Sequence, residues 1–130
     1  MDLIIESFPK LLNATKLTIE LTLLSLFFGI FVGAFFALLR TSKNKFLYFI
    51  SYYYSYIFRG TPLLVQIFII YFGLAQIEFI RNSFLWIFLK EPYACAILAF
   101  TLNTGAYTSE IFRSAFETIN KGIIEAPEGL

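Results

Sequence analysis

One carboxylate, Glu110, stands in the stretch Gly105-Ala106-Tyr107-Thr108-Ser109-Glu110-Ile111-Phe112-Arg113, close to the end of a long apolar run. An ionisable group in an apolar helix tends to face a bundle interior or an aqueous cavity, because hydrocarbon solvates neither charge state well. Asn103 precedes it by seven residues, two helical turns, so the amide and the carboxylate share a face. Such a face can meet a polar solute inside a membrane. Arg113, three residues beyond Glu110, offers a simpler use for the carboxylate, a local pair worth about 0.2–0.5 kcal/mol. A second polar group lies at Arg59-Gly60-Thr61-Pro62 and Gln66. Thr61 can cap a helix whose first residue is Pro62. Arg59 can bond carbonyls freed at that break or line a solute path. Gln66 can face the same cavity or bond a neighbouring helix for about 1 kcal/mol. The free amides at the start of the helix from Pro62 carry partial positive charge that suits a carboxylate.

None of these residues forms a catalytic constellation. The chain has no histidine, a single cysteine and no phosphate-cradling glycine loop, so the reading is of a protein that is not an enzyme, binds no ATP and needs no cofactor or metal. Cys95, between Ala94 and Ala96, reads as a small packing residue. A net charge of +1 without a Lys/Arg run excludes a phosphate-tracking nucleic-acid binder.

The elements that carry these residues are set by composition: 58% apolar, 20% aromatic and 15% charged residues place the chain in lipid. The fold class is all-α integral membrane protein with three transmembrane regions. Residues 17–39 extend about 34 Å as a helix, enough for a hydrocarbon core of about 30 Å. Residues 46–74 form a second region broken at 59–62, and residues 92–112 a third. Residues 113–130 read as a cytoplasmic loop. Lys and Arg near the span ends favour an outside amino end and a cytoplasmic carboxyl end, with Arg40, Lys43, Lys45, Arg59, Arg113 and Lys121 inside against Lys10, Lys16, Arg81 and Lys90 outside. Tyr52, Tyr53, Tyr54 and Tyr56 then read as anchors at the inner headgroups, Trp86 as an outer one, and residues 76–91 as a partly interfacial outer loop. Glu20, one turn after Lys16, reads as its partner. Gly29 and Gly33, with Ala37 continuing the stripe, read as a close helix-packing seam.

Three stretches, Thr15 to Gly33 (TKLTIELTLLSLFFGIFVG), Arg59 to Leu74 (RGTPLLVQIFIIYFGL) and Leu102 to Arg113 (LNTGAYTSEIFR), resemble the membrane subunits of bacterial ATP-binding-cassette importers for polar amino acids. The resemblance covers nearly the whole chain. It implies a multi-pass permease subunit of the bacterial inner membrane, paired with a second, similar or identical subunit. It also implies two cytoplasmic ATPases and an extracytoplasmic amino-acid-binding protein as partners, with solute moved by alternating access. Arg59, Gln66, Asn103 and Glu110 are the solute-path candidates. In the resembled family a Glu-Ala-Ala segment with a later glycine docks on the ATPase, and here Gly122, Glu125 and Ala126 match it. Pro127 stands in place of the second alanine, and Gly129 comes two positions early, so the coupling segment is expected to be cut short at Leu130. Two other classes are weighed against the importer subunit: a transport-inactive three-helix interaction protein or remnant, and an independent small channel.

Overall fold

The computed structural model describes the backbone of residues 1–128 and the side chains of residues 1–119. Within them the chain is helical, with no strand. Helix α1 runs Asp2–Arg40, α2 Lys45–Gly60, α3 Leu63–Phe68, α4 Glu78–Arg81, α5 Trp86–Leu89 and α6 Pro92–Glu128. Helix α3 continues through a wider turn at Ile69–Gly73 and a tight turn at Leu74–Gln76.

Helix α1 starts fifteen residues before the expected span, because no helix breaker other than Pro9 lies ahead of Leu17; the hydroxyls of Thr15, Thr18 and Thr22 turn back onto carbonyls four residues earlier and so keep their polarity within the helix. Alone among the described helices, it is long and apolar enough to cross a membrane, with a mean hydropathy of 2.4; α2 and the Leu63–Gln76 segment pass the same test only when taken together. Arg40 ends α1, and Asn44 starts α2 by accepting a hydrogen bond from the Phe46 amide at 2.9 Å.

The packing is inverted relative to a water-soluble bundle. Buried positions are small: Ser25, Gly29, Gly33 and Ala37 on α1, and Cys95, Ala99, Ala106 and Ser109 on α6. Large side chains such as Phe27, Phe31, Phe35 and Leu38 point outward. Where hydrocarbon is the solvent, helices gain by close backbone approach, and small residues permit it. A Cβ added to Gly29 would stand 2.7 Å from Thr104 Cγ2, and one added to Gly33 only 2.6 Å from Thr108 Cβ. Each glycine is thus the space that α6 occupies.

Contact partners rise together along α1 and α6, from Glu20 with Tyr93, through Gly29 with Thr104, to Gly33 with Thr108 and Arg40 with Glu110. The two helices therefore run parallel. Helix α2 runs against them: Ser51 Oγ donates to Phe36 O at 2.6 Å, while Arg40 lies over Tyr48, earlier in α2. Tyr54 stacks on Phe36 with ring centroids 4.1 Å apart and donates its hydroxyl proton to Leu102 O. It therefore sits between α1 and α6 and is not the headgroup anchor that its place among four tyrosines predicts. Gly105 makes the reach possible, since a Cβ there would meet both Tyr54 Oη and Val32 Cγ1 at 2.8 Å.

Two further expectations change. Helix α6 does not end at Arg113 but runs on to Glu128, so the segment read as a loop is helical in its described part. Residues 113–119 contain neither proline nor glycine, and Arg113 with Glu117 adds an i,i+4 pair at 3.0 Å. Glu20 turns to Tyr93 Oη at 3.4 Å, and no ion pair joins it to Lys16 among the described residues.

Candidate functional site

The break between α2 and α3 begins with backbone chemistry. Proline at 62 has no N–H, so Phe58 O loses the donor that an uninterrupted helix would supply from four residues on. An unpaired carbonyl in an apolar setting costs about 1–3 kcal/mol. Side chains replace the missing donors. Gln66 Nε2 donates to Phe58 O at 2.9 Å and to Thr61 O at 3.0 Å, and Asn103 Nδ2 donates to Phe58 O at 3.1 Å. Thr61 Oγ1 donates to Ile57 O at 2.7 Å, and Tyr107 Oη to Arg59 O at 3.4 Å. Thr61 thus closes α2 and does not cap the next helix; Pro62 is the cap residue of α3, without a side-chain bond. Freed from the helical ladder, the chain bends by 111°.

One turn back along α2, charge collects around Glu110. Its Oε1 accepts from Arg40 Nη1 and from Ser55 Oγ, each at 3.0 Å, and Arg59 Nη2 stands 3.9 Å away. Its Oε2 accepts from Arg113 Nη2 at 2.8 Å and Arg113 Nε at 3.1 Å. Arg59 Nε donates to Ser55 Oγ at 3.0 Å, so a single hydroxyl joins Arg59 to the carboxylate. Arg40, 9% exposed, lies with its guanidinium carbon 5.3 Å and 5.2 Å from the Tyr48 and Tyr52 ring centroids, a face-on cation–π arrangement. Three guanidiniums therefore share one carboxylate that is 16% exposed. Packing them together is tolerable because each also finds a hydroxyl, a ring or a second carboxylate.

The four residues singled out from the sequence converge on the last two turns of α2. Gln66 and Asn103 meet at Phe58 O, while Arg59 and Glu110 meet through Ser55. Asn103 also lines a cavity of about 180 Å³ with Thr22, Ser25 and Thr104, where Ser25 Oγ is buried without a partner. Gln66 lines a more apolar one of about 320 Å³, and its Oε1 is likewise unpartnered. Sequence reasoning missed Arg40, Ser55, Tyr54 and Tyr107 as partners. Along the sequence Arg40 reads only as a topology charge, and no local spacing links it to Glu110. Ser51 and Ser55, four apart in an aromatic helix, were the available signal for a polar stripe on α2. Gly122, Glu125 and Ala126 lie outside the residues whose side chains are described.

Among the described residues, a chain without strands, with small residues inside, large apolar residues outside and a polar seam between its helices, has the architecture of a membrane component. Residues 26–129 match the family described as the binding-protein-dependent transport system inner membrane component, and the chain belongs to that family. It is 50% identical over 127 residues to the nopaline transport system permease protein NocM of Agrobacterium fabrum, covering 97% of this chain and 53% of that protein. It is 41% identical over 115 residues to the histidine/lysine/arginine/ornithine transport system permease protein HisM of Escherichia coli K12, covering 88% of this chain and 48% of HisM. Among solved structures, the crystal structure of an amino acid ABC transporter with histidines matches with a TM-score of 0.70 and 29% identity, over 94% of this chain and 56% of that one. The chain spans about half the length of the curated relatives it matches.

Proposed function

We propose that this chain forms part of the solute pathway of a multi-pass amino-acid importer in the bacterial inner membrane, and that it catalyses no reaction itself. Separate cytoplasmic subunits hydrolyse ATP, a second permease subunit completes the pathway, and an extracytoplasmic binding protein delivers the solute. Helix α1, the bent α2–α3 segment and the first part of α6 cross the bilayer, with the amino end outside. The parallel course of α1 and α6 supports that topology, because two parallel spans need an intervening return. Gly122, Glu125 and Ala126 are the segment that meets the ATPase.

The observation that carries this reading is the convergence of Arg59, Gln66, Asn103 and Glu110 at the end of α2, within helices whose outer faces are large and apolar. A polar seam there gives a zwitterionic solute hydrogen-bonding partners at depth. Alternating access needs helices that can change partners, and exchangeable polar bonds from Ser55 to Glu110 and from Asn103 to Phe58 O join α2 to α6. The test is uptake into proteoliposomes containing the chain, its partner permease subunit, its cognate ATPase and its binding protein. ATP-dependent accumulation of a polar amino acid is expected; accumulation no greater than in protein-free vesicles would overturn the assignment.

A further inference from the structure

We infer that the cavity bounded by the end of α1, the start of α2 and the middle of α6 holds the phosphate of an anionic phospholipid headgroup. It measures about 300 Å³ and is lined by Arg40, Thr41, Tyr48, Arg113, Phe116 and Glu117. Two guanidiniums face one small space. Arg40 is nine-tenths buried, yet its Nε has no hydrogen-bond partner, and a buried guanidinium donor without an acceptor is a costly group; the atom is closed to solvent in this arrangement, so an anion's oxygen in the cavity satisfies it once the guanidinium turns toward that space. Arg113 commits Nε and Nη2 to Glu110, while its Nη1 is held by Glu117 at 3.0 Å. Glu117 is 62% exposed, so that bond is a weak surface pair which a phosphate oxygen can displace.

Charge and position both favour a lipid source. Arg40 and Arg113 line the cavity with Glu117 as its one carboxylate, and Lys43 in the adjoining turn and Lys45 at the start of α2 add positive charge nearby. Basic groups gathered just beyond an apolar helix attract anionic headgroups. Phe35 and Leu38 on α1 and Phe46 on α2 are exposed, so both of these helices that bound the cavity present apolar side chains against which an acyl chain can lie. A free phosphate ion would make no use of that surface. Arginine forks also match phosphate oxygens in geometry.

The proposal rests on the reading that α1 and α6 reach the same membrane face. The full chain is placed in nanodiscs of phosphatidylcholine containing a minority of phosphatidylglycerol, and lipids retained after release into detergent are counted by native mass spectrometry. Preferential retention of phosphatidylglycerol is expected, weakened about fivefold by Arg113→Gln. Glu117→Gln, at an exposed position where folding is not at risk, is expected to strengthen it by freeing Arg113 Nη1. Millimolar inorganic phosphate is the competing arm and should leave retention unchanged. Equal retention of both lipids by the wild type, insensitivity to both variants, or displacement by inorganic phosphate would each overturn the proposal. Thiol labelling of Ser42→Cys and Ser114→Cys in a Cys95→Ala background separates the two failures. Both positions labelled from one face with no lipid preference sinks only the lipid site, whereas opposite faces sink the topology with it.

Discussion

Arg40 Nη1 meets Glu110 Oε1 at 3.0 Å although the residues are 70 positions apart, and this bond ties the end of α1 to the middle of α6 across the face of α2. The same carboxylate holds Ser55 and Arg113, so three helices are fastened at one atom pair. Its contribution is cooperative: removing Glu110 strands more charge than removing any one guanidinium.

Glu110→Gln is therefore expected to destabilise the fold by about 3 kcal/mol, in the range for breaking a largely buried pair. Arg113→Gln should cost less, because Arg40 and Ser55 still hold the carboxylate. Unfolding in mixed detergent micelles measures both. Equal stability of Glu110→Gln and wild type would show that the cluster is solvated and unimportant to packing.

Gln66 and Asn103 act as alternates at Phe58 O, each donating to it. Gln66→Leu and Asn103→Leu should each cost about 1 kcal/mol, and the pair together clearly more than the sum, since only the double variant leaves the carbonyl without a donor. A double-mutant cycle on unfolding free energies reads this directly. Simple additivity would mean that water or another group serves the carbonyl.

Gly33→Ala should destabilise by about 1–3 kcal/mol, because its Cβ would overlap Thr108 Cβ at 2.6 Å and neither backbone can yield easily. Thr108→Ala keeps the struck atom and should not rescue it, whereas Thr108→Gly should do so in part. Gly60→Ala is the control, with no atom within 4 Å of the added Cβ. Loss of stability in that control equal to the loss in Gly33→Ala would refute the contact argument.

The parallel course of α1 and α6 predicts cross-linking. In a Cys95→Ala background, Glu20→Cys with Tyr93→Cys should be bridged by a short bismaleimide, and Glu20→Cys with Phe116→Cys should not. Bridging of the second pair alone would require antiparallel helices.

Much of this protein was legible along the chain. The apolar length of α1, the break at Arg59 to Pro62 and the shared face of Asn103 and Glu110 are local properties, set by the rise of a helix, the missing N–H of proline and the period of side chains. That a carbonyl deprived of its donor must find another is also readable once the break is seen, although the sequence points to Arg59 for that role and the structure gives it to Gln66 and Asn103. Residues 113–119 show the limit of the same method. Their polarity pointed to a loop, yet polar residues continue a helix readily when no breaker intervenes and i,i+4 pairs form.

What the tertiary structure alone decided is which distant residues meet. Arg40 with Glu110, Tyr54 with Leu102 and Glu20 with Tyr93 join α6 to α1 and α2, and each depends on the direction and registry of packed helices. Periodicity places a side chain on a face but leaves the neighbouring face unspecified. Registry is chosen by steric fit, here by Gly29, Gly33 and Gly105 admitting Thr104, Thr108 and Val32 with Tyr54. Only that fit turns scattered polar residues into one connected seam.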